Sequence, residues 1–137
     1  MGVFVLDCSV TMAWLFDDED DPFAATVRDR LGPDMAVVPA IWPLEVGNAL
    51  LTAERRKRIT RAEALRFAEL VRELPIDVAV SSTATLRGGG LQLAHDTGLS
   101  MYDASYLELA AEQGLPLATL DDALRRAARK VGVPLVR

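Results

Sequence analysis

Cysteine and histidine are nearly absent from the 137-residue chain, which has one of each, Cys8 and His95. One cysteine forms no internal disulfide, and the pair cannot make a zinc site of thiolates and imidazoles. Long apolar runs are missing too. The first, Val3 to Leu6, meets Asp7 after four residues, far short of the roughly 20 needed to span a membrane. No basic residue precedes it, unlike a secretory signal, and Leu6 stands where N-myristoylation wants Ser or Thr. The expectation is a cytoplasmic protein with no membrane partner. Linkers, repeats and low-complexity tracts are also lacking, so residues 1–137 read as a single domain. A chain of this size buries on the order of 68–70% of its unfolded surface, enough for one core without staples.

What is present is 50% hydrophobic and 26% charged, with 20 acids against 15 Lys plus Arg and a net charge of −5. That balance argues against nonspecific coating of nucleic acid and leaves room for a local cationic patch. Thirteen of the 15 cations are Arg, whose fork suits phosphate.

Short β-like runs alternate with helical ones, the pattern of an α/β fold with a parallel sheet flanked by helices. Strands are expected at Val3–Leu6, Met35–Val38, 76–80 and 117–120, with 134–136 closing the sheet. Ser9 is expected to cap a short helix reaching residues 14–16, and Pro22 to open one that runs to residue 31 and stops at Gly32. A helix over 39–58 carries Glu45 and ends in Arg55, Arg56, Lys57 and Arg58, where cations oppose the negative helix end. Thr60 and Glu63 form a capping box for a helix to about residue 74. Residues 83–97 look helical, although Gly88, Gly89 and Gly90 each cost up to about 1 kcal/mol there. Ser100 caps a helix that stops at Gly114, and Asp121 caps a last one that stops at Gly132.

Four carboxylates stand where burial or position needs explaining. Asp7 and Asp121 end strands, and ligands gather at the carboxyl edge of parallel sheets. Glu45 lies in a stretch apolar on nearly every face, where a lone carboxylate is costly to bury; Asn48, one turn on, is placed to orient it by hydrogen bonding. Asp103 shares a helix face with Tyr106, Leu107 and Ala110. Each alone has an ordinary explanation as a cap, turn or first-turn acid, but together they point to one pocket. Four acids there would repel one another unless a cation intervened. Oxygen-only ligation selects Mg²⁺ or Mn²⁺ over Zn²⁺.

The segments carrying these acids, Val-Leu-Asp7-Cys-Ser9-Val, Pro-Leu-Glu45-Val-Gly-Asn48-Ala-Leu, Leu-Ser-Met-Tyr102-Asp103-Ala and Leu-Ala-Thr119-Leu-Asp121-Asp, resemble a PIN domain, and more narrowly the VapC toxins of bacterial toxin-antitoxin pairs. The resemblance spans the chain. It implies a PIN-like parallel β-sheet flanked by helices, with Asp7, Glu45, Asp103 and Asp121 as catalytic residues holding Mg²⁺ (or Mn²⁺), and with Ser9 and Thr119 at the family's small polar positions beside them. It also implies an endoribonuclease, a homodimer, and silencing by a cognate antitoxin that inserts a basic segment. Metal-activated water would leave 5′-phosphate and 3′-hydroxyl ends. The alternative is a catalytically silent module whose acidic pocket holds a basic partner or a structural metal.

Other signals carry less. The acidic run 17–21 lacks the glycine and distal glutamate of an EF-hand and reads as a solvated loop. Asp7-Cys-Ser-Val-Thr11 is also similar to the start of haloacid-dehalogenase phosphatases, but Ser9 stands where their second acid belongs. Cys8 and His95 lack any motif joining them as nucleophile and base. Trp14, Trp42, Tyr102 and Tyr106 lie in apolar runs and read as core or dimer-interface residues.

Overall fold

The computed structural model describes residues 2–16 and 21–137. Most of the acidic run noted above therefore lies outside the described residues; its last member, Asp21, caps a helix by accepting from the Phe23 and Ala24 amides.

Four parallel strands, β1 (Val3–Leu6), β2 (Met35–Val38), β3 (Ile76–Val78) and β4 (Leu117–Ala118), form a sheet in the order β3-β2-β1-β4. Val5 pairs with Val37 on one side and with Leu117 on the other, so β1 is central. Its Phe4, Val5 and Leu6 are fully buried, as expected of a strand covered on both faces. The helices are α1 (Cys8–Leu15), α2 (Pro22–Arg30), α3 (Trp42–Arg55), α4 (Arg61–Arg72), α5 (Ala84–Arg87), α6 (Gly90–Thr97), α7 (Met101–Gln113) and α8 (Asp122–Val131). The α/β architecture read from the sequence is the one found.

Local departures have local causes. The helix expected from residue 39 starts at Trp42, after a turn closed by the Trp42 amide on the Pro39 carbonyl. It ends at Arg55 because Lys57 takes a left-handed φ of 60° while the Arg58 amide bonds back to Ala53, so the cationic cluster lies mostly beyond the helix. The capping box of Thr60 and Glu63 forms with both of its bonds. The helix it opens stops at Arg72, two residues earlier than expected. The stretch 83–97 is two helices, broken at Gly88 and Gly89. β3 ends two residues early, and 134–136 is no full strand but a single bridge from Leu135 to Leu117. β4 keeps only two residues because beyond it Thr119 turns its hydroxyl to Asp7 and the Leu120 amide is taken by Ser9.

Candidate metal-binding active site

Parallel strands deliver their carboxyl ends to one edge, and each helix that follows starts there. All four candidate acids occupy helix starts, three on helices that directly follow a strand and Asp103 on α7, which follows α6. Asp7 is the N-cap of α1, Glu45 lies in the first turn of α3, Asp103 in the first turn of α7, and Asp121 is the N-cap of α8. Amide dipoles at these positions favour negative charge, which partly offsets the cost of collecting four carboxylates. The β1–β4 pairing, extended by the Asp7 amide on the Ala118 carbonyl at 2.9 Å, brings Asp7 beside residues 119–121.

Asp7 is the buried anchor. Its Oδ2 accepts from Ser9 Oγ at 2.6 Å and from Thr119 Oγ1 at 2.8 Å. Both hydroxyls are themselves fixed, since Ser9 Oγ accepts from the Leu120 amide at 3.0 Å and Thr119 Oγ1 from the Asp121 amide at 3.0 Å. Ser9 is therefore no helix cap. It sits inside α1 and ties the start of that helix to the end of β4, with its hydroxyl spent on Asp7. Asp121 caps α8 by accepting from the Leu124 amide through Oδ1 at 2.9 Å, and its Oδ2 has no hydrogen bond among the described residues. Asp121 thus serves as an ordinary cap and still presents one oxygen.

Glu45 takes its partner from α7. Tyr106, fully buried, donates a short hydrogen bond to Oε1. Asn48 is exposed and makes no bond to Glu45, contrary to the expectation from helix spacing; α3 turns position 48 to solvent while Glu45 faces α7. Tyr106 was legible only as a core residue, yet its i+3 relation to Asp103 put both on the inward face of α7. Arg125 was also missed: its Nε donates to the Thr119 carbonyl at 3.0 Å, bracing the backbone of the residue whose hydroxyl serves Asp7.

The electrostatics show that the acids share one field. Burial pushes the Asp7 carboxyl up, its Ser9 and Thr119 hydrogen bonds oppose that, and the charge of Asp121 adds to it. Burial also raises Glu45, against the Tyr106 bond and with help from Asp7 and Asp103. Asp103 is raised by burial and then by Asp7 and Asp121. None of the ion pairs among the described residues engages any of the four. Among those residues no three His, Cys, Asp or Glu groups are gathered tightly enough to be a ready-made metal cluster. The donor set nevertheless fits a hard divalent cation: all oxygen, mutually repelling and without a resident counter-charge. Cys8 follows Asp7 in the chain, but its partly buried thiol is pushed up to about 12, mainly by desolvation and then by Glu45 and Asp7. It is a protonated packing residue, not a thiolate nucleophile. His95 lies exposed on α6.

A family model described as PIN domain matches residues 4–130. Among solved structures, PAE2754 from Pyrobaculum aerophilum superposes with a TM-score of 0.71 at 24% identity, covering 92% of this chain and 84% of that one. VapBC2 from Rickettsia felis, solved bound to a DNA fragment from its promoter, gives a TM-score of 0.69 at 11% identity, covering 98% and 97%. No curated protein matches by sequence.

Proposed function

Because the chain belongs to the PIN domain family, we propose that it is a divalent-metal-dependent endoribonuclease acting as the toxin of a VapBC-type toxin-antitoxin pair. PIN domains are generally nucleases, and PIN nucleases generally use divalent metals. The observation that carries the reading is the set of four acids, drawn from four helix starts, with three of them raised in proton affinity by burial and by one another. The likeness in fold to VapBC2 supports the toxin assignment.

Asp7, Glu45 and Asp103 would hold the ion, with Asp121 a fourth ligand directly or through water. A bound Mg²⁺ or Mn²⁺ would supply acidification of water and neutralisation of charge on the phosphate. The protein's own part is positional. Ser9 and Thr119 fix one oxygen of Asp7, Oδ2, by donating their hydroxyls to it, which would leave Oδ1 for the ion. Tyr106 does the same for Glu45 and favours its ionised form. Attack by water, with the ribose 2′-hydroxyl as bystander, leaves a 5′-phosphate and a 3′-hydroxyl.

An acidic pocket also sets the chemistry of its inhibitor, an antitoxin segment presenting Arg or Lys in competition with the ion. A homodimer fits the surface: Val80 and Tyr102, 97% and 61% exposed, line one hollow with Ile41 and Met101. Sedimentation of the purified chain as a monomer at all concentrations would remove the dimer.

The testing experiment is induced expression in a bacterial host, which offers every RNA at once. Wild type should arrest growth and Asp103→Asn should not. Growth unaffected by a soluble, folded wild-type chain would turn the assignment toward a silent acidic binding module.

A further inference from the structure

A second charged hollow lies against the acidic site, on the other side of residue 119. It has a volume of about 460 Å³, and its lining includes Phe23, Thr119, Arg125, Arg129, Val136 and Arg137. That volume falls within the roughly 300–1,000 Å³ typical of ligand sites. Arg125 and Arg129 are one turn apart on α8, so both project from the same face. Arg137 comes from the segment that the Leu117–Leu135 bridge lays along β4. Among the described residues no Asp or Glu side chain lines the hollow; exposed Asp122 stands 3.9 Å from Arg125 NH1. Arg125 is already held, donating to the Thr119 carbonyl and lying 5.5 Å from the Phe23 ring centroid. The side chains of Arg129 and Arg137 make no hydrogen bond or ion pair among the described residues.

We propose that this arginine hollow binds phosphodiester groups of the RNA strand whose scissile bond lies at the four acids. The inference rests on the nuclease reading above. A chain of net charge −5 with an acidic pocket repels a polyanion, so productive binding needs cations close to the pocket. Thr119 is the hinge between the two: its hydroxyl serves Asp7 and its carbonyl serves Arg125. Guanidinium forks bind phosphate oxygens in pairs, and the Phe23 face gives a flanking base an apolar surface. A strand threaded past residue 119 would thus meet arginines on one side and carboxylates on the other.

The test is RNA binding without cleavage, with Asp103→Asn as parent, against Arg129→Gln/Arg137→Gln in the same background. Arg66→Gln/Arg72→Gln, on exposed positions of α4, makes the same charge change elsewhere. The hollow variant should bind a single-stranded RNA about tenfold or more weakly, and the slope of log affinity against log salt should shrink by about 0.7 for each phosphate no longer neutralised. The α4 variant should match the parent, and circular dichroism should show all three folded. Arg129→Lys/Arg137→Lys should recover the salt slope and only part of the affinity. Equal losses in both glutamine variants would reduce the effect to net charge and overturn the proposal, as would unaltered binding by the hollow variant. A polyglutamate peptide that binds the parent and loses affinity in the hollow variant, with RNA binding unchanged, would assign the hollow to an acidic protein instead. Failure of the parent to bind any RNA, with or without Mg²⁺, would bring down the nuclease reading itself, a result distinct from loss of the hollow alone.

Discussion

Replacing Tyr106 by Phe removes one hydroxyl from a fully buried ring and leaves its packing in place. The lost bond is to the Glu45 carboxylate. Hydrogen bonds to charged groups contribute on the order of 1.5–3 kcal/mol, but Glu45 is half-buried and water takes back part of that. The expected cost at pH 8, without metal, is therefore about 1 kcal/mol. Unfolding entropy near 2.1 cal/mol/K per residue, over a chain of 137, converts this to a Tm lower by about 3–4 °C. The sign with pH follows from the bond's preference for the ionised acid. It holds the Glu45 pKa below where burial alone would leave it, so its stabilisation is full above the folded pKa and shrinks as pH falls through it. Thermal melts of wild type and Tyr106→Phe in chelator from pH 4 to pH 8 should show a gap that opens with rising pH. The variant's cleavage profile should move to higher pH, because Glu45 then ionises later. A gap that is absent at pH 8, or constant across the range, would refute the reasoning.

The site should also respond to metal in a pH-dependent way. Asp7, Glu45 and Asp103 are raised in the fold, so their contribution to metal-free stability is full below their unfolded values and is lost as pH rises through the folded ones. Mg²⁺ should therefore stabilise the fold more at pH 8 than at pH 5, by about 2.7 kcal/mol in total at pH 8 when present at 100 times its Kd there; equal Tm shifts at both pH values would contradict this. Gly90→Ala should destabilise by about 1–3 kcal/mol. Its Cβ would lie 2.5 Å from Thr85 Oγ1 and 2.6 Å from Glu108 Oε2, a clash readable by urea titration. The Cys8 thiol, raised to about 12 and partly buried, should resist alkylation at pH 8 and react only after denaturation. Rapid native labelling would show a more open site.

Elements with strong local rules were legible in the sequence. Val3–Leu6 and Met35–Val38 have the bounds read from their apolar runs, and the Thr60–Glu63 box starts a helix and the glycines at 114 and 132 end two others by local geometry alone. The acids themselves were visible because each broke a local pattern. Less was legible where partners are distant in sequence. Ser9 looked like a cap, whereas its hydroxyl donates to Asp7 and accepts from the Leu120 amide, 111 residues away. Asn48 looked like the partner of Glu45 from helical spacing, whereas that partner is 61 residues away on α7. The arginine hollow needs α8, β4 and the last residues to be brought together, which no window of the sequence displays.

The reaction proposed is hydrolytic cleavage of RNA by a metal-activated water, directed by the four acids. It is tested most directly by incubating the purified chain with host RNA in Mg²⁺ or in chelator, beside Asp103→Asn, and determining the chemistry of the new ends. New 5′-phosphate and 3′-hydroxyl ends are expected with Mg²⁺ and wild type only. Cleavage that persists in chelator or in the variant, or ends carrying a 2′,3′-cyclic phosphate, would contradict it.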